Sequence, residues 1–327
     1  MIKKIFITGG GGYVGAELVP ELLKKGYEVT VLDLFIYGMD VLGTHPNLIK
    51  VKGDIRDSNL LDEILPTHDA VIHLACISND PSFELNPNLG KSINLDAFRP
   101  LVEISIKYGI QRFIYASSSS VYGIKQELNV HEGMDLEPLT DYSKFKADCE
   151  KILLEYDLSN FTPIIIRPAT VCGYSKRQRL DVVVNILTNL AYHKGEITVF
   201  GGNQLRPNIH IKDMVDLYVN LLNTDRNLVS RETFNAGYEN QKVIDIAESV
   251  KSILGNNINI KVEETNDNRS YHISSEKIQK KLGFAASRSV RDAIIDLKTA
   301  FDKKLLINSM IDPVYFNIKT MQNLDLK

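Results

Sequence analysis

Glycines at positions 9 to 12, with another at 15, stand between a short β-rich run at 4–8 and a stretch of helical spacing at 16–25. This arrangement dictates a strand that turns sharply into a helix, because glycine alone lets a backbone bend so tightly and approach a neighbour so closely. Glycines 9, 12 and 15 have the spacing G-x-x-G-x-x-G. Such a turn brings the backbone of Gly9, Gly12, Tyr13, Val14 and Gly15 up to a pyrophosphate, with the anion on the helix N-terminus. Asp33 closes the next strand-like run, about 20 residues beyond the turn, where a carboxylate accepts hydrogen bonds from an adenosine ribose. The same carboxylate repels a 2′-phosphate, and Leu34, Phe35 and Ile36 offer no cation to receive one. The dinucleotide implied is NAD rather than NADP.

Strand-like runs recur at 48–52, 70–75, 112–116 and 162–167, and helical patterns at 59–65, 89–108 and 142–156 lie among them. Strands alternating with helices call for a parallel sheet covered on both faces. Beyond Pro168 the rhythm breaks into helices at 181–193, 212–223, 243–254 and 289–303, a loop-rich stretch at 196–208 and a return strand at 234–237; the tail after about residue 305 has no readable pattern. The 327 residues amount to about two domains. No repeat or linker separates them, so interleaved lobes are expected: 1–168 for the dinucleotide, with a returning segment at about 207–237, and 169–327 mainly for substrate.

Thirty-eight Lys plus Arg against forty-one Asp plus Glu leave no basic surplus to attract nucleic acid. No stretch free of Asp, Glu, Lys and Arg approaches the roughly 18 residues of a membrane span, and the N-terminus reads as a first strand rather than a leader. Cys76, Cys149 and Cys172 are far apart, without C-x-x-C or histidines at ligand spacing. They predict no metal site and reduced, buried thiols in a cytoplasmic protein.

Several motifs in order then resemble one family: the glycine turn, Gly53-Asp54-Ile55-Arg56-Asp57, His73-Leu74-Ala75, Ser117-Ser118-Ser119-Ser120-Val121-Tyr122-Gly123, Tyr142-Ser143-Lys144-Phe145-Lys146, and Arg206-Pro207-Asn208-Ile209-His210-Ile211-Lys212-Asp213. As a set they resemble the extended short-chain dehydrogenase/reductases acting on nucleotide-diphosphate sugars, the branch similar to UDP-glucose 4-epimerase. The resemblance implies a Rossmann-type doubly wound parallel sheet with a smaller, mostly C-terminal α/β substrate lobe. It implies that Asp54 and Ile55 flank the adenine, that Leu74 and Ala75 line the dinucleotide channel, and that the catalytic serine, three residues before the Val of Val-Tyr-Gly, is Ser118.

Tyr142 and Lys146, at i and i+4, share a helix face. A tyrosine is a poor base at neutral pH, but an adjacent ammonium and a nicotinamide cation favour its phenolate. With a serine hydroxyl to hold the substrate oxygen, the pair forms a complete apparatus for moving a proton while hydride moves to or from a cofactor. Ser119 and Ser120 stand where similar sugar 4,6-dehydratases carry an acidic pair, which argues against dehydration. The resemblance assigns Arg206, and more distantly Arg269, to the substrate's phosphates, where a permanently charged planar fork suits the oxygens. Ser78 and Thr170, with Ser118 and Ser119, fall where substrate sits; Thr170 replaces an asparagine of the galactose-type epimerases, and the segment around Ser78 also departs from them. His210 reads as a packed strand histidine.

The expected activity is oxidoreduction at C4 of a nucleotide-diphosphate sugar, as a 4-epimerase or 4-dehydrogenase, or, run backwards, a 4-keto-sugar reductase. A regulator that binds NAD without turnover is the competing class, and the presence of both Tyr142 and Lys146 speaks against it. The helices at 89–108 and 142–156 resemble those that pair subunits in the family, implying a homodimer or a dimer of dimers.

Overall fold

The computed structural model describes residues 2–78, 80–127, 129–265, 270 and 272–324. The opening alternation is β1 (Lys4–Thr8), α1 (Gly15–Lys24), β2 (Glu28–Asp33), β3 (Leu48–Lys52), α2 (Ser58–Ile64) and β4 (Ala70–His73). Next come α3 (Asp80–Glu84), α4 (Pro87–Lys91), a π-helical turn (Ser92–Asp96), α5 (Phe98–Lys107), β5 (Arg112–Ala116), a 3₁₀ turn (Ser119–Tyr122), α6 (Asp141–Leu154) and β6 (Thr162–Pro168). The rest comprises β7 (Thr170–Cys172), α7 (Val183–Lys194), β8 (Glu196–Phe200), β9 (Leu205–His210), α8 (Ile211–Asn223), α9 (Arg226–Val229), β10 (Glu232–Ala236), β11 (Glu239–Lys242), α10 (Val243–Leu254), β12 (Asn259–Glu263), α11 (Glu276–Leu282) and α12 (Val290–Asp302). A 3₁₀ turn (Pro313–Tyr315) and α13 (Asn317–Asn323) follow.

Seven strands form one parallel sheet in the order β10-β6-β5-β4-β1-β2-β3. Its centre is apolar on both faces: Ile5, Phe6 and Ile7 of β1, Val71 and Ile72 of β4, and Phe113 and Ile114 of β5 are fully buried. The order reverses between β1 and β4, which opens a crevice at the carboxyl edge of this Rossmann-like sheet. Small sheets β11-β9-β7 and β12-β8 lie outside it, and α7, α10 and α12 enclose a separate apolar cluster with Ile197 and Val199 of β8.

The helix expected at 89–108 is not continuous. Pro100 has no N–H to donate to Asp96, and its ring would strike that carbonyl in a regular helix. A π turn absorbs the conflict, Ala97 N–H reaching back to Ser92 O at 3.1 Å, and α5 starts afresh. The stretch 196–208, expected to be loop, contains β8 and most of β9. β8 alternates Ile197 and Val199 inward but spans only five residues ahead of Gly201-Gly202, and β9 carries Pro207; pairing of β8 with β12 and of β9 with β11 and β7 makes the strands. Cys149 and Cys172 are buried thiols, whereas Cys76 is only half-buried, because it follows β4 into the crevice rather than into a core. Among the described residues no helix is long and apolar enough to cross a membrane, and no cluster of three or more His, Cys, Asp or Glu is placed to hold a metal ion.

Helix α6 is fixed to the sheet by a buried ion pair. Arg167 of β6 donates Nη2 to Glu150 Oε2 at 2.6 Å and Nε to Oε1 at 3.0 Å, with 5% and 3% of the two residues exposed. Burial opposes the arginine's charge, but Glu150 outweighs it and holds the guanidinium above its ordinary pKa. Ser117 Oγ also donates to Glu150, while Arg167 Nη1 donates to Tyr122 Oη at 2.7 Å and Tyr122 to Asn235 Oδ1 at 2.8 Å. One network thus joins α6, the exit of β5, β6 and β10.

Arg167→Met strands Glu150 in the core and is expected to cost about 3–5 kcal/mol in denaturant melts, whereas pairing it with Glu150→Leu recovers most of that loss. Gly9 has φ +73°, and a Cβ there would lie 2.5 Å from Ala75 N. Gly9→Ala is therefore expected to lower stability by about 2–3 kcal/mol in the same melts.

Candidate functional site

The crevice widens into a cleft of about 610 Å³ along the carboxyl ends of the central strands, a volume within the usual range for ligand sites. At one end lies the glycine turn. Gly9 N–H bonds Leu32 O at 2.9 Å and Gly12 N–H bonds Gly9 O at 3.1 Å, so the turn folds back over β2 and feeds α1. Below it, Thr8 Oγ1 and His73 Nδ1 lie 2.7 Å apart, and burial pushes His73 down to about 3, so the imidazole is neutral. This seats the exit of β4, with Leu74 and Ala75, against Gly9. Gly12, Val14 and Gly15 face the cleft too. The ring of Tyr13 is committed elsewhere: its hydroxyl donates to Gly173 O at 2.6 Å, which leaves its backbone at the turn.

Asp33 Oδ2 accepts from Gly11 N–H at 2.9 Å and Oδ1 from Phe35 N–H at 2.7 Å. Burial raises its pKa despite these bonds and the nearby charge of Arg177. A bound ribose would add further donors to this desolvated carboxylate. Asp54 and Ile55 line the same end; burial raises the Asp54 carboxyl, but Arg56, at 2.6 Å, outweighs it and holds it below the usual range.

At the other end α6 presents Tyr142 and Lys146. Thr140 caps the helix in a reciprocal capping box with Ser143, which fixes the turn that carries Tyr142. Lys146 is 4% exposed, donates Nζ to Ala116 O at 2.6 Å, and stands 5.9 Å from the centre of the Tyr142 ring. Ser118 N-caps the 3₁₀ turn, its Oγ 2.8 Å from Ser120 Oγ. Ser117 is buried and spends its hydroxyl on Glu150, so Ser118 and not Ser117 is available to a ligand. Ser78, Ser119, Thr170 and Arg206 also line the cleft, with Thr170 at the start of β7 and Arg206 on β9, where its Nη1 donates to Leu205 O at 3.0 Å. Arg269 lies outside the described residues. His210 is buried at the end of β9 and accepts from Lys212 N–H at 3.1 Å, outside the cleft lining.

Sequence reasoning missed one wall. Tyr37, Arg177, Arg179, Asp181, Asn317 and Met321 all face the cleft. Arg179 Nε donates to Asp181 Oδ1 at 2.6 Å; Asn317 donates its N–H to Asp181 Oδ2 at 2.8 Å and Nδ2 to Ser78 Oγ at 2.8 Å, and Tyr37 Oη donates to Asn317 Oδ1 at 3.0 Å. Burial opposes the charge of Arg179, yet Asp181 outweighs it and raises the pKa, with smaller help from Tyr142 and Tyr37. The three basic residues in 176–179 were a readable signal; nothing in the tail sequence marked Asn317.

Comparison with known proteins agrees with this geometry. A UDP-glucose 4-epimerase of Lactobacillus helveticus is 27% identical over 274 residues, 77% of this chain and 82% of that protein. A dTDP-glucose 4,6-dehydratase of Streptomyces niveus is 24% identical, covering 90% of this chain and 91% of that one. Among solved structures, the UDP-glucose 4-epimerase of Thermotoga maritima with UDP-glucose superposes with a TM-score of 0.83 at 25% identity, over 92% of this chain and 99% of that one. Residues 5–237 match the family described as the NAD dependent epimerase/dehydratase family. The glycine turn pressed against Ala75 and the desolvated Asp33 suit a dinucleotide; the chain belongs to that family, and its cofactor is NAD.

Proposed function

We propose that this protein moves hydride between NAD and C4 of a nucleotide-diphosphate sugar, acting as a 4-epimerase or a 4-dehydrogenase. The observation that carries this reading is the opening of Ser118, Tyr142 and Lys146 onto the same cleft as the glycine turn and Asp33. Tyr142 takes the proton of the C4 hydroxyl, Ser118 Oγ orients that oxygen, and the buried ammonium of Lys146, anchored on Ala116 O, acts on the phenol through a poorly screening medium. When bound, NAD supplies the hydride acceptor. Arg206 holds the diphosphate, with Ser78, Ser119 and Thr170 around the sugar.

The carboxylates lining the cleft among the described residues support a reaction without dehydration. Asp33 is held by Gly11 and Phe35, Asp54 by Arg56, and Asp181 by Arg179, so each already has a partner within the fold, and the positions directly after Ser118 are hydroxyls. A keto sugar turned over in the site and reduced on its other face makes the enzyme an epimerase; one that leaves makes it a dehydrogenase. Supply of the keto sugar from outside makes it a reductase. Helices α5 and α6, bridged by Arg99 and Glu155 at 2.8 Å, are the surface through which it forms a homodimer in the cytoplasm.

Incubation with UDP-, GDP-, CDP- and dTDP-sugars, read by mass spectrometry and NMR, is expected to give a C4 epimer or a 4-keto sugar; loss of a C6 oxygen would refute the reading of Ser119 and Ser120. Tyr142→Phe is expected to lower kcat about 10²- to 10⁴-fold with NAD binding intact, and Ser118→Ala to cost less, while a pure NAD-binding regulator would be indifferent to both. Arg206→Ala is expected to raise KM for the sugar nucleotide with kcat held, since an anchor remote from C4 contributes uniform binding.

A further inference from the structure

Arg177 is a cation on the cleft wall for which the described residues supply no paired counter-charge. It is 4% exposed, and no carboxylate of the described residues lies within ion-pairing distance of it. Nη2 donates to Asn317 Oδ1 at 2.5 Å, and the guanidinium carbon stands 3.5 Å from the centre of the Tyr37 ring; neither neighbour is negative. Nε is buried with no hydrogen-bond partner. Arg179, two residues on, is by contrast satisfied by Asp181 at 2.6 Å. Burial pushes the pKa of Arg177 down, but a guanidinium stays charged at any physiological pH. A buried, unpaired charge is costly, so a site that retains one is shaped for an anion that arrives later.

The position says which anion. Tyr37 lies four residues beyond Asp33, the charge of Arg177 is felt at the Asp33 carboxylate, and Asp33 in turn holds Gly11 of the glycine turn. Arg179 is already neutralised by Asp181, and its charge is felt at Tyr142 as well as at Tyr37. We propose that Arg177, held by Tyr37 and by Asn317 of the C-terminal tail, binds phosphate oxygens of the dinucleotide's pyrophosphate rather than those of the sugar nucleotide. This rests on the glycine-turn end of the cleft being the NAD site. The planar fork gives directional, charge-assisted bonds that the backbone amides of the turn supplement from the other side.

Calorimetry on the full chain with ADP-ribose, adenosine and UDP separates the outcomes. Arg177→Met is expected to weaken ADP-ribose about tenfold to a hundredfold while adenosine and UDP change less than about twofold. Asn317→Asp gives Arg177 the carboxylate it lacks, so it is expected to weaken ADP-ribose at least about tenfold without lowering the melting temperature; it carries the test should Arg177→Met not fold. Unchanged ADP-ribose binding in the folded variants overturns the proposal. So does an equal loss of adenosine, which would mean a distorted site, or a loss confined to UDP, which would give Arg177 to the substrate. Failure of the unaltered chain to bind ADP-ribose would refute the NAD-site assignment itself.

Discussion

The buried pair of Glu150 and Arg167 is the contact on which the arrangement of the site depends. Tyr142, Lys146 and Glu150 follow one another at intervals of four on α6, so they lie along one face, and whatever fixes the third fixes the other two. Glu150 is bound from two directions, by Arg167 of β6 and by Ser117 at the end of β5. Apolar side chains of equal volume would seat the helix as firmly but would leave it freer to roll. A carboxylate gripped by a planar fork specifies its rotation, because the geometry of both bonds fails together when the helix turns. The same network, through Tyr122 and Asn235, ties the serine turn to β10. Tyr142, Lys146 and Ser118 are therefore referenced to one rigid frame.

Most of the carboxylates and one of the arginines along the cleft are matched within the fold, whereas Lys146 is held by a backbone carbonyl and Arg177 by a neutral amide. Asp54 and Asp181 are matched by Arg56 and Arg179, and Asp33 by two backbone N–H groups. Hydroxyls also line the cleft, from Ser118, Ser119, Ser120 and Thr170. Neutral donors and acceptors of this kind hold a ligand by direction rather than by charge.

What was legible in the sequence is what local chemistry dictates. The glycine turn and Asp33 are set within a single strand-turn-helix-strand unit, and the spacing of Tyr142 and Lys146 is a property of one helix. Ser118 could be chosen over Ser117 by motif register, and burial of Ser117 against Glu150 gives the choice a physical basis. Illegible were features made by residues distant along the chain. The strands β8 and β9 exist because β12 and β11 pair with them, and Asn317 reaches Ser78 across 239 positions with no motif to announce it; the break at Pro100 is by contrast a local effect that the helical spacing alone masked.

That last contact has a consequence for the order in which a nascent chain matures. Ser78, Tyr37 and Arg177 emerge from the ribosome long before Asn317, and at roughly 5–20 residues per second the 239 positions from Ser78 take on the order of tens of seconds to translate. During that interval the parallel sheet can assemble and the glycine turn can form, but the wall bearing Arg177 has neither its stacking geometry secured by Asn317 nor its hydrogen bond. A half-made chain is thus able to fold around its first strands while one side of its cleft stays open, and the closing of that side waits on the arrival of a single short helix.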